Sequence, residues 1–345
     1  MIEILAFLVM IASLSLLILV HEAGHYFAAR WCGLLVEEFG FGYPPRIFGK
    51  KIGDTIISLN WLPFGGFVRI FGYSNLHEEQ ELKDQGRSFS NLGVFKRIFI
   101  VIAGVLMNFL FGWILLSIVF MVGIPQSLLI TNVTEGGIAD SIGIEIGDQI
   151  MKIKSVNELV NYINENKGKE ISLEIKRGDE DFIKTLIPRI NVPDNEGNLG
   201  INLVETGHPK QNFMSAVISA FIASLSVLWN IFLGFIELIV GAFTDWSVFG
   251  KFVGPVGIVN VAVETTKLGV IPFIQFLSFI SLNLVILNLL PIPALDGGKF
   301  MFLIIEKIKG TPVSQKFEMI ASAFGFLFLI SLLLIITIKD ILMLF

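Results

Sequence analysis

The chain is poor in the residues that build disulfide-stapled or cysteine-rich metal folds. It has one cysteine, Cys32, which excludes an internal disulfide and any cysteine-based zinc cluster. It has only four histidines, His21, His25, His77 and His208, so a third ligand at any metal site is expected to be something other than histidine. Charge is scarce as well: 16% of residues are charged against 54% hydrophobic, and the mean hydropathy is +0.75. The net charge of −5 comes without a basic tract, which argues against a nucleic-acid partner. From Ile4 to Val20 there is no charged residue at all. This is the composition of a multi-span membrane protein that also carries some soluble mass. The N-terminal run lacks a positive flank, Glu3 being the only charge before His21, and lacks a small-x-small site followed by a polar start. It is therefore expected to be a retained first span rather than a signal peptide.

What that first span does contain is His21-Glu22-Ala23-Gly24-His25, an H-E-x-x-H stretch met without any turn signal. On a helix, residues four apart share a face, so His21 and His25 can present two imidazoles to one metal ion. Glu22 projects about 100° away, near enough to reach a water held there. The same pattern in a soluble helix could be three side chains facing water. Inside an apolar span that reading weakens, because ionisable groups there are costly and mark function. At 1.5 Å per residue His21 lies about 26 Å along from Ile4, still within a hydrocarbon core of about 30 Å.

Taken in order, residues 1–125 form the first half of a membrane core. A span over 4–29 is followed by a 31–96 segment and a second span over 98–124. Lys and Arg are concentrated from Arg46 to Arg97, which makes the 31–96 segment cytoplasmic and the N-terminus external. Segments around Gly40-Phe41-Gly42 and Phe64-Gly65-Gly66 read as short strands punctuated by Gly and Pro. They are expected to form a re-entrant sheet whose edge receives an unwound substrate by strand addition, with Gly40, Phe41, Gly42, Gly65 and Gly66 at the contact. Asn108, the most polar residue of the second span, reads as an interhelical hydrogen bond rather than a catalytic group. Residues 126–205 are the one clearly soluble domain, with expected strands at 128–130, 150–153, 171–175 and 182–187 and a helix over 157–164. Residues 206–270 are expected to be external linker and amphipathic helix, because Ser215, Ser219, Ser226, Asn230 and Glu237 share one stripe of the run from Phe213 to Ile236. Residues 271–345 complete the core with spans over 273–290 and 319–338, flanking an Asp-Gly turn. Crossing parity favours four spans, because a fifth crossing would leave Asp296 on the wrong side of the bilayer from His21.

A catalytic zinc usually has three protein ligands and one open position. Asp296 is the best third ligand, since two prolines before it and two glycines after it would unwind the helix there; Glu264 and Glu237 are weaker rivals. The segment Gly136 to Ile150 resembles the signature of bacterial PDZ domains, and the resemblance makes Leu199-Gly200-Ile201 the loop that would receive a peptide carboxylate.

His21-Glu22-Ala23-Gly24-His25, Glu38 to Gly42, Pro63 to Gly66, Gly254 to Ile258 and Asn288 to Gly297 occur in an order that resembles the site-2 protease family of intramembrane zinc metalloproteases. The bacterial branch that releases sigma factors is the nearest match, although some of its members carry two PDZ domains and this chain has room for one. The resemblance implies Zn2+ on His21, His25 and Asp296, Glu22 as general base, and a substrate-handling role for Asn283 and Asn288. It also implies single-span membrane substrates already shortened by another protease, and a place in the bacterial inner membrane. The expected fold is thus an α-helical polytopic membrane protein of four transmembrane helices, with a membrane-associated β-sheet and one extracytoplasmic PDZ-like α/β domain. The competing reading is a metal transporter or sensor using the same ligands. Glu22 separates the two, because transport has no use for a base beside the metal.

Overall fold

An apolar helix, α1 (Ile2–Trp31), opens the chain and runs through His21 and His25 without a break. Two long strands follow, β1 (Val36–Ile52) and β2 (Thr55–Ile70), then helix α2 (Val94–Val122). Next come β3 (Ile124–Val133), a short α3 (Ile138–Ser141), β4 (Gln149–Ile150), α4 (Val156–Glu165), β5 (Ile171–Arg177), β6 (Glu180–Leu186) and β7 (Ile201–His208). Helices α5 (Phe213–Thr244), α6 (Pro255–Lys267), α7 (Val270–Leu289), α8 (Asp296–Lys309) and α9 (Gln315–Leu342) complete it. This computed structural model describes residues 2–73, 85–134, 136–178, 180–189, 199–244, 248, 250 and 253–342. Two units emerge: Met1–Ile118 with Val217–Phe345, and Val119–Ala216.

In the larger unit, β1 and β2 are bent so that they pair along several stretches. Residues 36–41 lie between 66–70, through pairs such as Phe39↔Val68 and Phe41↔Gly66, and 56–59, through pairs such as Phe39↔Ile57. Residues 46–52 then pair on 55–60 from the other side. The strand from Gly65 to Ile70 is therefore left at an edge. Gly42 and Gly65 hold φ of +75° and +83°, which only glycine adopts without strain. Helix α6 begins at Gly254-Pro255, where the Gly257 N–H donates to the Asp340 carboxylate of α9 at 3.0 Å. A side chain on Gly254 would run into Ile336 and that carboxylate, and one on Gly257 into Val253. Further along, Ala262 of α6 is buried with Met10 of α1 and Phe276 of α7.

Among the described residues, five helices, α1 from Leu8, α2, α5 to Gly241, α7 and α9, are long and apolar enough to cross a membrane. That is one more than the four spans expected. The difference is α5, in which the expected amphipathic helix is part of a longer one. Its buried stripe is Ala216, Ala220 and Ser224, while Ser215, Ser226, Asn230 and Glu237 are exposed.

Among its described residues, the smaller unit holds a five-stranded sheet in the order β6-β5-β4-β3-β7. Its core, around Leu128, Ile130, Ile150, Leu159, Leu173 and Ile175, is close to fully buried. The expected strands and helix recur with shifted ends. The expected strand at 150–153 is reduced to Gln149–Ile150, and β7 is an added edge strand.

Candidate metal centre and active site

The site is set by how closely α1 and α2 cross. Gly24 of α1 faces the Ala103 carbonyl and the Gly104 Cα, leaving no room for a Cβ at residue 24. A Cβ on Gly104 would in turn collide with His25 Nε2 and approach His21 Cε1. The missing side chains thus bring two helix backbones together and leave both imidazoles free to turn inward.

Asp296 arrives from the other half of the chain. Helix α7 ends at Leu289 because Pro291 and Pro293 cannot continue it. Ala294 has a φ of +100°, and α8 restarts at Asp296. Gly297 and Gly298 lie so close to the carbonyls of Leu289, Leu290 and Ile292 that no side chain would fit. Gly325 of α9 is likewise pressed on the Pro293 carbonyl. The turn is therefore tightly determined, and its carboxylate points at the two histidines.

Three ligand-type atoms converge there. Asp296 Oδ2 lies 3.0 Å from His21 Nε2 and 3.2 Å from His25 Nε2, and the two nitrogens are 3.2 Å apart. Four-coordinate zinc with ligand bonds of about 2.0–2.1 Å requires donor atoms about 3.3 Å apart, so the triangle has nearly the right size. The donor chemistry fits too. His25 Nδ1 is 2.8 Å from the Ile100 carbonyl, which can only accept, so that nitrogen carries the proton and Nε2 offers a lone pair. Despite its close neighbours, Asp296 Oδ2 is buried and without a hydrogen-bond partner among the described residues. His25 Nε2 and Asp296 Oδ2 are thus two acceptors facing one another in a buried place, which calls for a cation between them. Glu264 is exposed and paired with Lys267, Glu237 is exposed on α5, and neither joins the cluster.

Glu22, one residue from His21, is half-buried, with its carboxylate beside the backbone N–H of Val68 in the edge strand of the sheet. That N–H reaches out of the sheet toward α1, so the open edge of 65–70 faces the general-base candidate. Gly65 and Gly66 pack on Ile18 and Leu19, one turn before the histidines. Gly40 and Phe41 stand one strand further back, paired with Phe67 and Gly66, and Gly42 abuts the Leu62 carbonyl. Asn283 and Asn288 are half-buried on α7, outside the His–Asp cluster.

Two neighbours were not singled out by sequence, the Ile100 carbonyl and the cation of Lys299, whereas Gly104 reads from the sequence as a glycine that permits close helix packing. Lys299 lies one turn beyond Asp296 with its ammonium 3.5 Å from the centre of the Tyr73 ring. Burial presses its pKa down, and the charges of Asp296, Glu318 and Glu22 oppose that. Asn108, fully buried on α2, does make the interhelical contact expected of it, with its amide 3.3 Å from His21 Nδ1.

In the smaller unit, a groove of about 490 Å³ runs between α4 and β7, lined by Leu159, Ile163, Leu199, Ile201 and Leu203 among others. Leu199-Gly200 stands at the start of β7, its carbonyls accepting from Ala139 N and Thr134 N at 3.1 and 2.8 Å.

A buried His–His–Asp triangle with a glutamate beside it defines a metal-dependent hydrolase. The chain belongs to peptidase family M50, the site-2 protease family, whose profile matches residues 9–332. A Clostridium perfringens protein provisionally named a zinc metalloprotease is 31% identical over 337 residues, covering 95% of this chain and 96% of its own. The regulator of sigma-W protease RasP of Bacillus subtilis is 26% identical over 424 aligned positions, covering 99% of each chain. The zinc metalloprotease RasP of Bacillus licheniformis is 28% identical over 414 positions, covering 95% and 97%. Both RasP alignments are longer than this chain, so those relatives carry residues that have no counterpart here. The protein is a zinc metalloendopeptidase and a multi-pass membrane protein.

Proposed function

We propose that the protein cleaves single-span membrane proteins within or beside their transmembrane segments, with His21, His25 and Asp296 holding zinc and Glu22 as general base. The observation that carries this is the triangle of ligand-type atoms at 3.0–3.2 Å beside a carboxylate that lies at the sheet edge. Zinc in that position supplies a Lewis acid for the scissile carbonyl and lowers the pKa of a water to about 7. Glu22 takes the proton of the attacking water and delivers it to the leaving amine. The edge strand from Gly65 to Ile70 receives the substrate backbone, with Gly40 to Gly42 supporting it from the next strand. A helical substrate must unwind to pair there, and Leu→Gly in a helix costs about 1 kcal/mol, so each such change in a substrate span should speed cleavage about fivefold. Asn283 and Asn288 are assigned to substrate handling by family resemblance.

The smaller unit is read as a single PDZ-like domain outside the cytoplasm, excluding bulky ectodomains and admitting substrates first shortened by another protease. The groove beside Leu199-Gly200-Ile201 suits an extended peptide, and the edge strand β7 supports that reading. Regulation of a sigma factor, which the name of the B. subtilis relative records, makes membrane-anchored anti-sigma proteins or signal-peptide remnants the expected substrates.

Four crossings remain the proposed topology, with both termini outside and the site near the cytoplasmic face. Gly241 of α5 packs on Val248, and Gly254 lies beside Asp340 on α9. The link from Val248 to Gly254 spans at most about 20 Å, less than a hydrocarbon core of about 30 Å, so α5 cannot end on the opposite face from α6. Cysteines introduced at Thr244 and Leu342 in a Cys32→Ser background should both react with an impermeant external reagent; a cytoplasmic Thr244 position would refute this topology.

The enzymatic reading is tested by purified protein and a single-span substrate. Glu22→Gln should keep zinc and lose cleavage by at least about 100-fold, whereas His21→Phe and Asp296→Ala should lose zinc. A Glu22→Gln enzyme that still cuts at the wild-type rate would sink the general-base role.

A further inference from the structure

Helix α2 lines the two histidines in register. Ile100, Gly104 and Asn108 recur every four residues and so share one helix face. The Ile100 carbonyl meets His25 Nδ1, Gly104 makes room for both rings, and the Asn108 side chain meets His21 Nδ1. The chain thus matches the pair four residues apart on α1 with a pair of outer partners eight apart on α2.

The two partners differ in one respect. A backbone carbonyl can only accept, but an asparagine amide has a donating and an accepting end of nearly identical shape. Here Asn108 Nδ2 is the end drawn toward His21 Nδ1, and Asn108 Oδ1 is buried with no hydrogen-bond partner among the described residues. That orientation suits a histidine whose proton sits on Nε2. It does not suit a metal ligand at Nε2, whose proton must sit on Nδ1 and must be donated. Turning the amide by 180° meets that need, because Oδ1 then accepts the Nδ1–H. The backbone carbonyl of Asn108 is held separately, accepting from Ser281 Oγ of α7 at 2.8 Å, so the turn requires no movement of the helix.

We propose that Asn108 is a positioning residue for the metal centre: in the zinc-loaded enzyme its side-chain carbonyl accepts from His21 Nδ1–H and fixes the tautomer that presents Nε2 to the ion. Ile100 does the same for His25. This rests on His21 being a ligand, as proposed above.

The test compares zinc affinity of folded, full-length protein by chelator competition, with nitrogen-15 spectra of the histidines reporting the tautomer. Asn108→Leu keeps the volume and removes the acceptor, and should weaken zinc binding about 10- to 100-fold. Asn108→Asp offers acceptors only and should bind zinc within about threefold of wild type, as rescue by the conservative variant requires. In zinc-loaded wild type the His21 proton should sit on Nδ1. The proposal falls if Asn108→Leu binds zinc as tightly as wild type, or if Asn108→Asp loses as much affinity as Asn108→Leu. Zinc retained by His21→Phe and Asp296→Ala would instead overturn the ligand assignment beneath it, so the two failures are told apart.

Discussion

Asp148 in the smaller unit and Asp296 in the membrane unit each place a carboxylate oxygen out of reach of water, and their neighbours differ in kind. Asp148 is met by donors on every side. Arg177 donates from Nε at 2.7 Å and from Nη2 at 2.8 Å, and the Glu145 backbone N–H donates at 2.9 Å. Asp296 Oδ2 faces two imidazole nitrogens at 3.0 and 3.2 Å and receives no hydrogen bond from a described residue. The first carboxylate is saturated by permanent partners and holds a turn of the sheet together. The second has a lone pair of His25 Nε2 turned toward its own, an arrangement that a cation between them would relieve. A buried acid therefore reports function through what its neighbours can donate, not through burial alone.

The sharpest way to break the contrast is Gly104→Ala. The added methyl would collide with His25 Nε2 and should lower zinc affinity and cleavage by two orders of magnitude or more. The smaller unit should unfold at its wild-type temperature. Normal zinc content in that variant would show that α1 and α2 can part at no cost, against the close crossing at Gly24.

Next in size is Val68→Pro, which removes the N–H that reaches Glu22. A hydrogen bond to a charged group contributes roughly 1.5–3 kcal/mol, so cleavage should fall about 10- to 100-fold while zinc stays bound. Unchanged cleavage would mean that the sheet edge does not orient the base. Asp148→Ala makes the opposite cut. It should destabilise the smaller unit by about 2 kcal/mol, read from hydrogen exchange of β3 and β5, and leave zinc affinity untouched.

Much of the membrane unit was legible in the sequence because one pattern carries one meaning there. An uncharged run interrupted by His21, Glu22 and His25 has few physical excuses, and the Pro and Gly residues around Asp296 announce a broken helix. The structure brings all four residues together. A partner that acts through backbone was not legible, since the Ile100 carbonyl has no residue signature; Gly104 was legible as a site of close helix packing, but not as the space both imidazoles occupy. Asn108 was read correctly as an interhelical hydrogen bond, but its partner, His21, could not be known before α1 and α2 were placed. On α5, Ser215, Ser226, Asn230 and Glu237 of the expected stripe are exposed, but the buried face made of Ala216, Ala220 and Ser224 was not read. Small residues pack, and a hydropathy pattern does not register them.

The mildest expected effect is on pH. Burial raises the Asp148 pKa, but the Arg177 hydrogen bonds, the Glu145 N–H and the Arg177 and Lys184 charges outweigh it, leaving the carboxyl below its ordinary value. A carboxyl with a depressed folded-state pKa binds its proton more readily in the unfolded chain. Its stabilising contribution is therefore complete above the unfolded value of about 3.9 and is lost as pH falls through the lower folded value. The smaller unit should hold constant stability from Asp148 between neutral pH and about 5, then lose it progressively below about 4. Asp148→Asn should start less stable and lose less over that window, because nothing at that position is left to titrate. Parallel loss in wild type and Asp148→Asn would assign the acid sensitivity to other carboxylates and leave Asp148 a hydrogen-bonding group whose charge contributes nothing to the fold.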